Sequence, residues 1–360
     1  MDVGYRVAAV AVGAALVVFN LLDVFQAVVL PRAAGVRYRI SALLVRATWP
    51  LWARYGMRID DSDAREDFLG AYGAIALVGF LAVWGLGLIF GYGLIVFGLR
   101  ADIHPVPNFG DAVYFAGVSF LTIGYGDFTP TGGAARVVGL LAGASGFSVV
   151  AIVTAFLFQV FGAFQAREVF VITFGTRAGA PPSGLTLLET YRRLRIEDHL
   201  PDVFERGMVW AAAVLESHLS YPILAFFRSS HDYESWVAAL GGLLDAATLR
   251  LTVVANDAPG HAELFSTLGR HLVHDLGQYF ELEGPAGPGV ERHEFETARA
   301  RLAAAGFSLR DPEVAWRDFA EQRATYAGTL NAIAAYFRIP PAQWVGDRSI
   351  LPQHHENLAG

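Results

Sequence analysis

The sequence predicts an all-α membrane protein: three transmembrane helices, a short re-entrant helix between the second and third, and a mainly α-helical domain after them. Three observations carry this expectation. The 360 residues are 54% hydrophobic, with a mean hydropathy of +0.40, too apolar for one ordinary soluble domain. Three apolar segments, within 1–30, 68–99 and 134–164, are each long enough to cross a hydrocarbon core of about 30 Å. From 185 onward the apolar residues recur at helical spacing.

Composition narrows the function. Cysteine is absent, which removes disulfides, thiolate metal sites and cysteine nucleophiles. The net charge is -7 and no strongly basic face stands out, so no nucleic-acid partner is expected. No Ser/His/Asp arrangement is close enough in sequence to suggest catalysis, and an enzyme is not expected.

The first span, 1–30, has no cleavage-site pattern of the signal-peptide kind. Asn20, Asp23 and Gln26 recur every three residues on one helix face, where polar groups at membrane depth are costly. Two readings stay open: the triplet lies at the membrane interface before Pro31, or Asp23 pairs with an arginine of the following linker or of a neighbouring subunit. That linker, 31–67, carries Arg32, Arg37, Arg39, Arg46, Arg54, Arg58 and Arg65, whereas the loop between the next two spans has arginine only at Arg100 and Arg136. The positive-inside rule puts the linker in the cytoplasm. Within it, 41–58 mixes Leu43, Trp49, Leu51 and Trp52 with arginines, the pattern of a helix in the headgroup layer with tryptophan anchors; a soluble amphipathic helix is the alternative. Asp60, Asp61, Asp63, Glu66 and Asp67 follow as a solvated turn suited to capping the next helix.

Between the second and third spans, 101–108 is a proline-broken loop, and Gly110 or Asp111 starts a short helix over 112–121. Then comes Thr122-Ile123-Gly124-Tyr125-Gly126-Asp127. Glycine at two alternate positions lets the backbone turn successive carbonyls to one side through left-handed conformations. A ring of such loops replaces the water shell of a permeating potassium ion. One loop per chain cannot enclose an axis, so four copies are expected.

The string 111–115, together with 119–127 and Thr129-Pro130, resembles the pore loop of bacterial two-helix potassium channels, with Ile123 where valine is usual. The resemblance covers 68–164, a pore domain of outer helix, pore helix, filter and inner helix. It implies potassium ions in a filter of Thr122, Ile123, Gly124, Tyr125 and Gly126, with no organic cofactor. Tyr125 then braces the loop against the pore helix and Asp127 sits at the pore mouth. Val118 departs from the pattern, since some family members carry a glutamate there that pairs with the equivalent of Asp127. The resemblance places the gating hinge at Gly146, or else at Gly143. The alternative is that these glycines only let helices pack. Spacing by fours then puts Thr154 in the cavity and Phe158 at a hydrophobic gate, or facing lipid.

The remainder divides into a connector, 165–184, in which 170–174 reads as a short strand or extended segment, a helical domain, 185–338, and a flexible tail, 339–360. Helical periodicity marks 185–196, 202–219, 234–254, 261–282, 291–305 and 312–338. Gly175-Thr-Arg-Ala-Gly179 lacks the spacing of a dinucleotide-binding turn, so the domain is expected to regulate or assemble without a Rossmann module. Arg228, His231 and Trp236 form a candidate anion site for an unknown cytosolic ligand, with helix capping as the alternative. His271 and His274, three apart, have a spacing compatible with a shared metal; ordinary hydrogen-bonded histidines are the alternative. No span has arginine at every third position, so voltage sensing is not expected.

Two function classes follow. The first is a homotetrameric potassium channel, multi-pass in the inner cell membrane, with the N-terminus outside and the helical domain in the cytoplasm. The second is a membrane-anchored ligand-binding or signalling protein whose cation pore is vestigial or weakly selective.

Overall fold

The computed structural model describes residues 3–28, 40–229, 234–255 and 259–346. Among these, every element is helical except one two-stranded ladder of two residues per strand. Contacts divide the chain into two compact units, Met1–Arg58 with Ala71–Phe161, and Ile59–Gly70 with Gly162–Gly360. Three helices are long and apolar enough to cross a membrane: α1 (Val3–Val28), α3 (Ser62–Gly98) and α5 (Gly133–Ala178). The protein is an all-α membrane protein.

In the first unit α1 lies against α3. Arg6 Nε donates to the Gly98 carbonyl at 2.9 Å, and Tyr5 meets Phe97 edge-on at 6.3 Å. Asn20 and Asp23 are buried on the contact face. Asp23 accepts from Trp84 Nε1 at 2.6 Å and from the Ile40 backbone at 2.9 Å. Both of its donors among the described residues are neutral groups, and Arg32, Arg37 and Arg39 of the linker lie outside those residues. Helix α3 brings an indole N–H to the same depth, and a buried acceptor needs a donor more than it needs a counter-charge.

The helix expected in the headgroup layer, α2 (Ile40–Gly56), packs its tryptophans inward. The rings of Trp49 and Trp52 lie 4.9 and 5.9 Å from that of Tyr72, and Thr48 shares a 2.9 Å hydrogen bond with the Tyr72 hydroxyl. The expected tryptophan anchors are therefore packing residues. Leu51, Tyr55, Arg54 and Arg58 form the exposed side.

The second unit begins with the first turns of α3, where Asp61 accepts from the Ala64 amide at 2.8 Å, the cap expected of the acidic cluster. The later part of α5 also belongs to it. The expected connector with a strand at 170–174 is instead helix as far as Ala178. Arg167, Val171, Phe174 and Ala178 are buried while Val169 and Thr173 are exposed, a helical period that a short β-branched run conceals.

The remaining helices are α6 (Gly184–Leu194), α7 (Leu200–Ser220), α8 (Trp236–Thr252), α9 (Gly260–Phe280), α10 (Arg292–Ala304), α11 (Pro312–Ala324) and α12 (Ala327–Tyr336). The expected single segment 312–338 is thus two helices, broken at Thr325–Tyr326. Helix α8 is apolar around nearly its whole circumference, as a central helix must be, and α6, α7, α9, α11 and α12 pack around it. The tail expected to be flexible from 339 is packed as far as Gly346, with Trp344 and Val345 buried; 347–360 lie outside the described residues.

One buried ion pair organises this packing. Asp245 on α8 accepts from Arg323 Nε at 2.8 Å and from the Tyr326 hydroxyl at 2.7 Å. Arg323 also donates to the carbonyls of Pro288 and Trp344. Burial pushes the Asp245 carboxyl up, and Arg323 and Tyr326 pull it back. Removing one partner leaves an uncompensated buried charge, which costs about 3–5 kcal/mol. Arg323→Ala is accordingly expected to lower the thermal unfolding midpoint of the full chain in detergent by several degrees, and the exposed control Arg317→Ala to leave it within one or two degrees.

Candidate functional site

The re-entrant helix α4 (Phe109–Phe120) begins before both expected starts, Gly110 and Asp111, because Asn108 caps it. Asn108 Oδ1 accepts from the Asp111 amide and Asp111 Oδ2 accepts from the Asn108 amide, each at 3.0 Å. This reciprocal box satisfies two orphan donors at the helix start. At the other end the amides of Leu121, Thr122 and Ile123 donate back to the carbonyls of Gly117, Ser119 and Val118 at 2.8, 3.0 and 2.9 Å.

The segment beyond alternates. Thr122, Gly124 and Gly126 have φ of 57°, 63° and 79°, while Ile123 and Tyr125 stay outside the left-handed region. Nothing lies within 4 Å of a Cβ built on Gly124 or Gly126, so glycine is required there for its backbone rather than for space. Thr122 adopts this conformation as a non-glycine residue, at roughly 1–2 kcal/mol. Sequence reasoning assigned left-handed backbone only to the glycines.

Both arms of the loop are tied down. The ladder β1 (Ile103–His104) with β2 (Thr129–Pro130) pairs Ile103 with Pro130 and His104 with Thr129. The amides of Thr131 and Gly132 donate to the Asp102 carbonyl. Beneath them Val96, Phe97, Ile103, Ala112, Phe115 and Ala135 form an apolar cluster. The expected brace through Tyr125 is not made within one chain, where Tyr125 is 70% exposed. The contact made there within one chain is instead between the rings of Tyr114 and Phe128, 6.2 Å apart and edge-on. A tyrosine one turn before the apolar Val118 was the missed signal.

On α5, a Cβ at Gly146 would collide with the Phe120 carbonyl, while one at Gly143 would only touch that of Ser119, at 3.4 Å. The close approach of α4's last turn requires glycine at 146, which is the packing role. Tyr92 ties α3 to α5 through Ser145, at 2.7 Å. Thr154 is exposed and its hydroxyl donates to the Val150 carbonyl at 2.8 Å; Phe158 is 76% exposed.

The family model described as "Ion channel" matches residues 80–163. Over that stretch the chain is similar to ion-channel domains. The match spans the second half of α3, all of α4, the alternating loop and α5 to within the second unit. No curated protein and no solved structure matches the chain.

The other candidate sites do not assemble as the sequence suggested. Arg228 is not free to hold an anion: it pairs with Glu66 and donates to the carbonyls of Phe337 and Arg338, the latter at 2.6 Å. Trp236 is buried against His218, at 4.9 Å between rings, and His231 lies outside the described residues. His271 and His274 face outward on α9, next to Asp275 and Gln278 respectively. No third metal ligand joins them among the described residues.

What the sequence did not single out is a buried centre around Arg167 on α5. Its guanidinium donates to Glu168 Oε1 at 3.0 Å and to the carbonyls of Leu224 and Phe227 at 2.9 and 2.7 Å, and meets His218 Nε2 at 3.2 Å. It also lies over the rings of Phe164 and Trp236. Burial, and then the charge of Arg167, push the His218 imidazole well below its ordinary range. Beside this centre, α5 and α7 border an open groove of about 910 Å³, floored by the stacked Phe170 and Trp210 rings and rimmed by Asp202, Glu205 and Arg206.

The close approach at Gly146 makes a direct prediction. Gly146→Ala is expected to abolish ion flux by displacing the end of α4. Gly162→Ala, on the same helix with nothing within 4 Å of its Cβ, is expected to keep at least half of the wild-type flux in the same liposome assay.

Proposed function

We propose that this protein is a tetrameric potassium-selective channel, whose filter is the backbone of Thr122 to Gly126 and whose helical domain assembles or gates it. The observation that carries the reading is the alternation of left-handed residues at 122, 124 and 126. Alternate backbone flips bring successive carbonyls to one side, the arrangement that substitutes for the hydration shell of a cation. Ile123 and Tyr125 are 48% and 70% exposed in a single chain, and neighbouring copies of the same loop supply their packing around a closed axis. Thr122 Oγ1 adds the innermost ligand, and Thr154 lines the cavity with its remaining lone pairs. Phe158 stands at the narrow end, with Gly143 or Gly146 as the point about which α5 bends.

The arginine asymmetry between the linker and the loop at 100–136 orients the chain, with the filter mouth outside and the helical domain in the cytoplasm. Asp127 then raises the local cation concentration at the mouth. A metal at His271 and His274, if one binds, would be a separate surface feature and takes no part in this pathway.

Purified protein in liposomes under a potassium gradient, with a matched sodium gradient as control, tests the reading. Barium-sensitive potassium flux at least tenfold above sodium flux is expected. Equal fluxes, or none, would favour the second reading, a membrane-anchored signalling protein with a vestigial pore. Asp127→Asn is expected to reduce potassium flux several-fold at about 10 mM salt and little at 1 M, because the field of one mouth carboxylate is screened within about 3 Å at the higher concentration.

A further inference from the structure

Arg167 is a costly residue to place where it is. It lies 34 residues after Gly133 on the same helix (167 − 133), or about 51 Å along the axis at about 1.5 Å per residue, well beyond a hydrocarbon core of about 30 Å. Its side chain is nonetheless 1% exposed. The helical domain encloses it with acceptors: two carbonyls from the turn at 222–227, Glu168 of its own helix, and His218 of α7.

The hydrogen bonds around His218 define its state. Nδ1 faces the Val214 carbonyl at 2.9 Å, a pure acceptor, so Nδ1 carries the proton. Nε2 faces Arg167 Nη1 at 3.2 Å, a pure donor, so Nε2 carries none. A second proton has no place: it removes the acceptor from Arg167 and sets an imidazolium against a guanidinium. The other groups facing the ring do not offset this. Ser217 of its own helix and Trp236 of α8 are uncharged. Glu168, the one carboxylate at the centre, already accepts from Arg167. Arg228, just after the 222–227 turn, is paired with Glu66, and Glu234, before α8, lies against Gly175, about two turns further along α5.

From this geometry we infer that Arg167 and His218 form a proton-sensitive latch between the end of α5 and the helical domain, closed when His218 is neutral and released when Nε2 is protonated. Arg167 is a positioning residue in it: it touches no ion and acts by fixing α5 to α7 and the 222–227 turn. The sign follows from linkage. Released His218 titrates near the ordinary value of about 6.5, and latched His218 far lower. The latch is therefore at full strength above about pH 6.5 and weakens by up to tenfold for each pH unit below it. The consequence for conduction rests on the channel reading; the latch itself does not.

Hydrogen exchange on the full chain in detergent, compared at pH 7.5 and 5.5 after correction for intrinsic rates, tests the latch without reference to flux. Wild-type amides of 165–175 are expected to lose protection several-fold at pH 5.5. His218→Gln keeps a neutral acceptor for Arg167 and is expected to lose none. If that variant does not fold, Arg167→Gln serves, and the midpoint of the wild-type pH profile is expected to move upward in it. Unchanged wild-type protection between the two pH values would overturn the latch, as would a pH profile shared by the wild type and these variants. Potassium flux in liposomes over the same range is expected to change several-fold in the wild type and to stay flat in His218→Gln. Absence of flux at every pH would count against the channel alone, since exchange still decides the latch.

Discussion

A backbone that turns back on itself between two membrane-length helices must account for every polar group it carries, and residues 80–163 are arranged around that demand. At the start of α4 the Asn108–Asp111 box satisfies two donors, and at its end three amides of 121–123 fold back onto α4 carbonyls. The carbonyls of 122–126 are what this leaves over. A left-handed residue at every second position makes that remainder directional. The Asp102 carbonyl, the short β1–β2 ladder and the Tyr114–Phe128 ring contact then hold the far arm in place. Gly146 lets the end of α4 sit directly on α5.

The same economy governs buried charge in both units. Asp23, Arg167 and the Asp245–Arg323 pair are each buried, and each is saturated by groups distant in sequence: an indole and a backbone amide, two carbonyls and an imidazole, a phenol and two carbonyls. Such centres contribute little net stability against well-packed apolar substitutes, but losing one member leaves a charge in a low-dielectric interior. They hold particular elements together for that reason. Asp245–Arg323 fastens the chain up to Gly346 onto α8, and Arg167 fastens the end of α5 to α7.

Much of the architecture was legible in local pattern. The three spans, the re-entrant helix and the helical segments from 185 to 305 follow from apolar period and from proline and glycine stops, signals that are short-range by nature. The left-handed glycines of the loop at 122–126 were legible too, because a glycine at every second position has few other uses. Errors arose where a local signal had two solutions. The run 170–174 is β-branched and short, so its helical period appears only when Trp210 stacks on Phe170. Trp49 and Trp52 suit a lipid interface or a protein contact equally, and Tyr72 decides for the second. Arg228 looked like an anion receptor because Glu66, 162 positions away, is invisible to any local reading.

The sequence by itself determined that this chain enters a membrane three times, carries an alternating glycine loop between its second and third spans, and continues as a helical domain. Those properties depend on composition and on spacings of a few residues. Tertiary structure alone decided which polar groups meet: Asp23 with Trp84, Asp245 with Arg323, and Arg167 with His218. Each of these contacts joins separate elements, and burial makes a partner obligatory without saying in advance which one it is. The loop at 122–126 was readable as a motif; the attachment of α5 to the helical domain became visible only when the fold buried Arg167.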